Sequence, residues 1–195
     1  MKKIITPLPF LIYYCIAPLN YDKVAINKGV NYYLGVEGFY AKGKYTVPAC
    51  NGSPYMDFQG YGAIGTGGVY YGFSKRVAIG VEVSGGAILP TVEECNITFF
   101  PLGYAFLKFS HSFSDNILAL KIGACYPNYF KAGFLSSLPN SEKFCFSYFW
   151  AFPYLHSFDI NILIAKNFVL ATGLSCFGAG KMFLATFKLG LSFRK

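Results

Sequence analysis

Charge is scarce in this chain of 195 residues. Lys, Arg, Asp and Glu together make up 13% of it, about half of the roughly 25% usual in a soluble domain. Histidine occurs twice, and tryptophan once, at Trp150. With 54% hydrophobic residues, intrinsic disorder is excluded, because disorder needs low hydrophobicity and high charge. Long apolar runs are also missing. A membrane-spanning helix takes about 20 consecutive apolar residues. Past the N-terminus uncharged stretches such as 144–158 and 167–180 fall short and contain polar residues or proline. A bundle of membrane helices is therefore excluded. The cysteine spacings contain no CxxC, and no metal cluster, phosphate loop or dinucleotide fingerprint appears.

What the chain has in quantity is glycine (21), phenylalanine (21) and tyrosine (16), a mixture that favours strands and tight turns over long helices. The hydrophobic pattern has period two, the mark of a strand with two different faces. Val77, Ile79, Val81 and Val83 alternate with Ala78, Gly80, Glu82 and Ser84. Near the C-terminus Phe183, Ala185, Phe187, Leu189, Leu191 and Phe193 alternate with Thr186, Lys188, Gly190 and Ser192. The longest such run, 144–164, puts aromatics and isoleucines at its even positions and Ser147, Ala151, Ser157, Asp159 and Asn161 at odd ones. At about 3.3 Å per residue it exceeds the roughly 9 to 11 residues of a tilted membrane strand, so one end is expected to project, or Pro153 to bend it.

The N-terminus reads as an export segment over residues 1–20. Lys2 and Lys3 precede an apolar stretch from Ile4 to Ala17, although Pro7, Pro9 and Pro18 interrupt the usual pattern. From Gly29 onward the pattern predicts eight strands, at about 30–44, 57–73, 76–89, 97–110, 116–126, 144–164, 167–177 and 181–193. Short polar turns alternate with longer connections. That segregation predicts a closed antiparallel up-and-down barrel with short periplasmic turns and longer extracellular loops.

Sidedness separates a membrane barrel from a soluble one. The minority face is small and polar, which suits the narrow interior of eight strands. The bulky face, turned to water, would make an apolar patch far larger than a soluble monomer tolerates. Turned to lipid it makes an aromatic-girdled belt. The glycines at 60, 62, 65, 67 and 68 read as lumen-filling residues.

The opening Gly29-Val30-Asn31-Tyr32-Tyr33-Leu34-Gly35, the turns Phe113-Ser114-Asp115-Asn116 and Ala165-Lys166-Asn167, and the closing Leu189-Gly190-Leu191-Ser192-Phe193 carry a resemblance. Over residues 29–195 the chain resembles the OmpA/OmpX-like group of small eight-stranded outer-membrane barrels. The resemblance implies an architecture and no particular activity. Such barrels end on an aromatic, whereas here Arg194 and Lys195 follow Phe193.

Glu37, Glu82, Lys121, Asp159 and Lys188 fall on the inward register, with Lys108 on a strand of ambiguous facing. Charges enclosed in a low-dielectric wall must pair, so these six are expected to form a lumenal salt-bridge network that plugs the barrel. Disulfides Cys125–Cys145 and Cys50–Cys95 are possible pairings among several. Lys42, Lys44, Lys131, Lys143 and Lys181 are expected on the loop-side rim, facing lipopolysaccharide phosphates. His111 and His156 read as interfacial residues. His156 faces away from Ser157 and Asp159, so no catalytic triad is expected.

The expectation is therefore a monomeric bacterial outer-membrane barrel with a structural or surface-interaction role, neither an enzyme nor a binder of a cofactor or nucleic acid. Its partners would be outer-membrane lipids, lipopolysaccharide, and an extracellular ligand or host surface met by the loops around 48–55 and 126–143. The alternatives are a narrow porin-like channel and a soluble lipocalin-like carrier of lipophilic ligands.

Overall fold

A computed structural model describes residues 17–46, 55–91, 98–113, 116–126, 130–138, 141–152, 154–179 and 182–195. Among these residues ten strands follow one another: β1 (Gly29–Thr46), β2 (Tyr55–Gly72), β3 (Val77–Pro90), β4 (Thr98–Phe113), β5 (Asn116–Tyr126), β6 (Lys131–Leu138), β7 (Ser141–Ala151), β8 (Leu155–Ala165), β9 (Phe168–Ala179) and β10 (Met182–Arg194). Each pairs antiparallel with its sequence neighbours, and β1 pairs with β10, so the sheet closes without an edge.

The strand count corrects the expected eight. The run 144–164 is not one strand but the hairpin of β7 and β8, joined through residues 152–154. Ala151 pairs with Leu155, and paired residues share a face. A three-residue connection therefore leaves odd positions inward on both strands, and the period-two pattern runs through the turn unbroken. The expected loop 126–143 contains β6, whose inward set Lys131, Gly133, Leu135 and Ser137 mixes a charge, a glycine, an apolar residue and a hydroxyl. No hydrophobic alternation marks it.

Connections of two to four residues, at 73–76, 114–115, 139–140 and 166–167, lie at the end where β1 begins and β10 finishes. At the opposite end lie 47–54, 91–97, 127–130, 152–154 and 180–181. Of the lengths expected there, only the first two are long.

Ten strands enclose a wider lumen than eight, and small residues alone do not fill it. Large rings therefore point inward as well as outward, another departure from expectation. Phe39, Phe58, Phe100 and Phe177 pack inside one part of the barrel, and Tyr33, Tyr70, Tyr104 and Phe106 inside another. Gly60, Gly62 and Gly68 face the lumen, but Gly65 and Gly67 face outward beside exposed Tyr61 and Val69.

Candidate functional site

The outer surface follows the alternation. Val30, Leu34, Val36, Val81, Val83, Leu174, Leu189 and Leu191 stand exposed around the cylinder. Aromatic side chains gather at both ends of this belt. Tyr71 meets Phe73, and Phe168 meets Phe193, at the short-turn end. Tyr40 meets Tyr61 (centroids 5.0 Å apart), and Trp150 meets Phe130 and Phe152, at the other. Beyond Tyr40 the outward positions of β1 turn charged. Exposed Lys42 is followed by Lys44, which faces Asp57 at 3.9 Å.

The lumen holds a segment of the chain itself. Residues 17–26 run inside the barrel, antiparallel to β1; Asn27 and Lys28 are exposed, and Gly29 (φ +87°) turns the backbone into that strand. Side-chain-free wall positions seat this segment. A Cβ on Gly35 or Gly190 would overlap Tyr21, and one on Gly173 would overlap Leu19 and Asp159. Val24 packs against Ala119, Leu135, Cys145 and Phe149.

Polar contacts between segment and wall form two clusters. In the first, Lys188 Nζ donates to Asp159 Oδ1 (2.9 Å), Ser157 Oγ (2.8 Å) and the Ala17 carbonyl (2.9 Å). Asp159 Oδ2 accepts the Asn20 N–H at 3.2 Å. Glu37 Oε2 accepts the Leu19 N–H at 2.8 Å and the Tyr21 hydroxyl at 3.2 Å. In the second, Asp22 Oδ2 lies 3.0 Å from Lys108 Nζ and 3.7 Å from Lys121 Nζ. Glu82 lies 3.2 Å from Lys121, 3.7 Å from Lys131 and in hydrogen bond with the Tyr33 hydroxyl. Lysine heads also rest over rings: Lys121 over Phe106 at 3.9 Å, Lys131 over Tyr104 at 4.7 Å, Lys108 over Tyr70 at 5.0 Å. Lys108, Lys121, Lys188 and Asp159 are each 0% exposed. A cavity of about 30 Å³ beside Ala17, Glu82, Lys131 and Ser157 has room for about one or two waters.

All six expected network residues, Glu37, Glu82, Lys108, Lys121, Asp159 and Lys188, point inward. Asp22, Lys131 and Arg194 join them. Asp22 lies in a stretch whose sequence reads only as a lead-in to the first strand. Arg194 follows the last aromatic, where alternation gives no further reference.

The rim expectation is corrected at two positions. Lys131 points into the lumen toward Glu82, because the strand β6 replaces a loop there. Lys143 is exposed but lies near the start of β7, at the short-turn end. Lys181 lies outside the described residues, as do Cys50 and Cys95. No disulfide joins Cys125 to Cys145: among the described residues Cys125, Cys145 and Cys176 are thiols. Cys125 lies near the loop-side end of β5, Cys145 pairs with Ser137 toward the short turns, and β6 stands between. His156 is on the outer face, 2.7 Å from the Tyr148 hydroxyl, while Ser157 and Asp159 bond inside. His111 rests on Phe113.

No protein-family model and no curated protein matches the sequence. Among solved structures the chain is similar to an outer-membrane channel from Pseudomonas putida F1 at 9% identity and a TM-score of 0.53, covering 92% of this chain and 100% of the channel. It also matches Ail, the attachment invasion locus protein of Yersinia pestis, at 14% identity and a TM-score of 0.39, over 87% of this chain and 100% of Ail. Neisserial surface protein A matches at 10% identity and a TM-score of 0.41, over 85% of this chain and 99% of that protein. The likeness to the channel is one of fold: a closed antiparallel barrel of the outer-membrane type.

Proposed function

We propose that this chain is a bacterial outer-membrane β-barrel with a closed lumen, and that its role is structural and interactive at the cell surface. The observation that carries the reading is the apolar belt, bounded at both ends by aromatic rings, around a cylinder whose backbone hydrogen bonds close on themselves. Lipid offers no partner to an unpaired backbone group, so a strand protein crosses it as a closed barrel. The belt in water would be an aggregation surface.

The closed lumen is supported by residues 17–26, which occupy it with paired charges and hydrogen bonds. An export segment would precede these lumenal residues. A closed sheet has no edge on which a second copy could add a strand, which supports a monomer. The exposed Lys42 and Lys44 beyond the aromatic row would face lipopolysaccharide phosphates.

Fractionation tests location. The protein is expected to float with outer membranes, to resist carbonate extraction and to migrate faster on gels before boiling than after. Recovery in the soluble periplasm would end the reading. In planar bilayers the unmodified protein is expected to give no steady conductance, and a persistent large one would remove the closed lumen from it.

A further inference from the structure

The buried charges of the second cluster do not balance. Lys108, Lys121 and Lys131 face two carboxylates, Asp22 and Glu82. Arg194, on the inward face at the end of β10, adds a fourth buried positive charge; it pairs across the sheet with Tyr33, whose hydroxyl accepts a hydrogen bond from Lys121 at 3.3 Å. Glu37 and Asp159 are engaged elsewhere, with Lys188 and the backbone of residues 19 and 20. Aromatic faces relieve part of the excess on the three lysines.

Arg194 is only 3% exposed, yet among the described residues its Nε and Nη1 meet no acceptor. Buried polar groups are nearly always satisfied. The carboxylate in the cluster is also a poor match. Asp22 presents one oxygen, Oδ2, to both lysines, and its Oδ1 makes no hydrogen bond. Open donors on Arg194 and an idle acceptor oxygen on Asp22 are thus both buried inside the barrel.

We propose that Lys108, Lys121 and Arg194 form an anion-binding site inside the barrel, that its ligand is a free tetrahedral oxyanion, and that Asp22 is a tethered occupant which the ligand displaces. A tetrahedral oxyanion carries more acceptor oxygens and more charge than one carboxylate. It can take two parallel hydrogen bonds from a guanidinium while others receive the lysines. The wall shields the cluster from lipid headgroups, so the ligand is a soluble ion. Entry of the ion releases Asp22 and, two residues on, loosens Val24 from its packing against Cys145. The inference rests on the closed-barrel reading above.

The test uses the full chain in detergent micelles, with folding of every variant checked first by the gel shift on boiling. Sodium sulfate is titrated by calorimetry at constant ionic strength. Asp22→Asn is expected to bind sulfate at least about tenfold more tightly than the unmodified protein, and Asp22→Asn/Arg194→Gln to lose that gain. In the unmodified protein, sulfate is expected to raise severalfold the labelling of Cys145 by a small polar thiol reagent, read by peptide mass mapping. Equal sulfate affinity with and without the Asp22 charge overturns the proposal, as does a gain that survives Arg194→Gln. If Asp22→Asn does not fold, Arg194→Gln alone decides: it must abolish the sulfate-dependent labelling, and persistence overturns the site. Loss of the gel shift in the unmodified protein would instead reject the barrel itself.

Discussion

Lys188 shows how a cation is tolerated inside a barrel wall. Its ammonium has three hydrogens, and Asp159, Ser157 and the Ala17 carbonyl take one each at 2.8 to 2.9 Å. Removing one partner of such a pair leaves a buried charge without compensation, which costs about 3–5 kcal/mol. Asp159→Ala is therefore expected to lower unfolding stability by about that amount, measured as the urea midpoint of the gel-shift transition. Replacing both partners with apolar residues of similar size, Asp159→Leu with Lys188→Met, is expected to recover much of the loss. A double variant as unstable as Asp159→Ala would mean that the pair does not act as a unit. The six inward charges were legible because each sits on a strand whose alternation assigns a face, with Lys108 settled only by its neighbours. Asp22 was not legible, because its partners lie 86 and 99 positions away on β4 and β5 and nothing local announces them.

Between elements, connection length is free while strand register is not. Ser157, Asp159 and Asn161 reach the lumen because each is paired with an inward residue of β7. A glycine inserted between Phe152 and Tyr154 only lengthens the connection, a cost that grows slowly with loop length. The same glycine between Phe158 and Asp159 sends Asp159 and Asn161 to the outer face or forces a bulge beside the Lys188 cluster. The first insertion is expected to leave the gel-shift midpoint nearly unchanged, and the second to lower it at least as far as Asp159→Ala does. Equal effects would show that β8 is not held by its pairing with β7. The lumenal segment obeys a related rule: its Tyr21 lies where Gly35 and Gly190 leave the wall bare. The glycines are visible in sequence as wall positions, but which ring covers them depends on the path of a segment outside the sheet.

For the whole molecule, the solvent decides which substitutions are tolerated. Leu189 is exposed near the middle of β10, between the aromatic ends Phe183 and Phe193. In lipid, an arginine at mid-depth costs about 2–4 kcal/mol, and near the interface about 0–1. Leu189→Arg is therefore expected to destabilise the protein in phospholipid vesicles by about 2–4 kcal/mol, read from urea unfolding. An unchanged midpoint would mean that this face does not meet acyl chains.

Alternation is a local property: each residue's neighbour points the other way whatever the rest of the chain does. The two faces of nearly every strand, the all-β class and the antiparallel barrel could therefore be read along the chain alone. The number of strands could not, because the three residues 152–154 return the chain without breaking the alternation and β6 carries no hydrophobic pattern. Nor could the contents of the lumen. Ten strands leave a space that eight would not, and filling it with residues 17–26 depends on charges and bare glycines that meet only once the cylinder has closed.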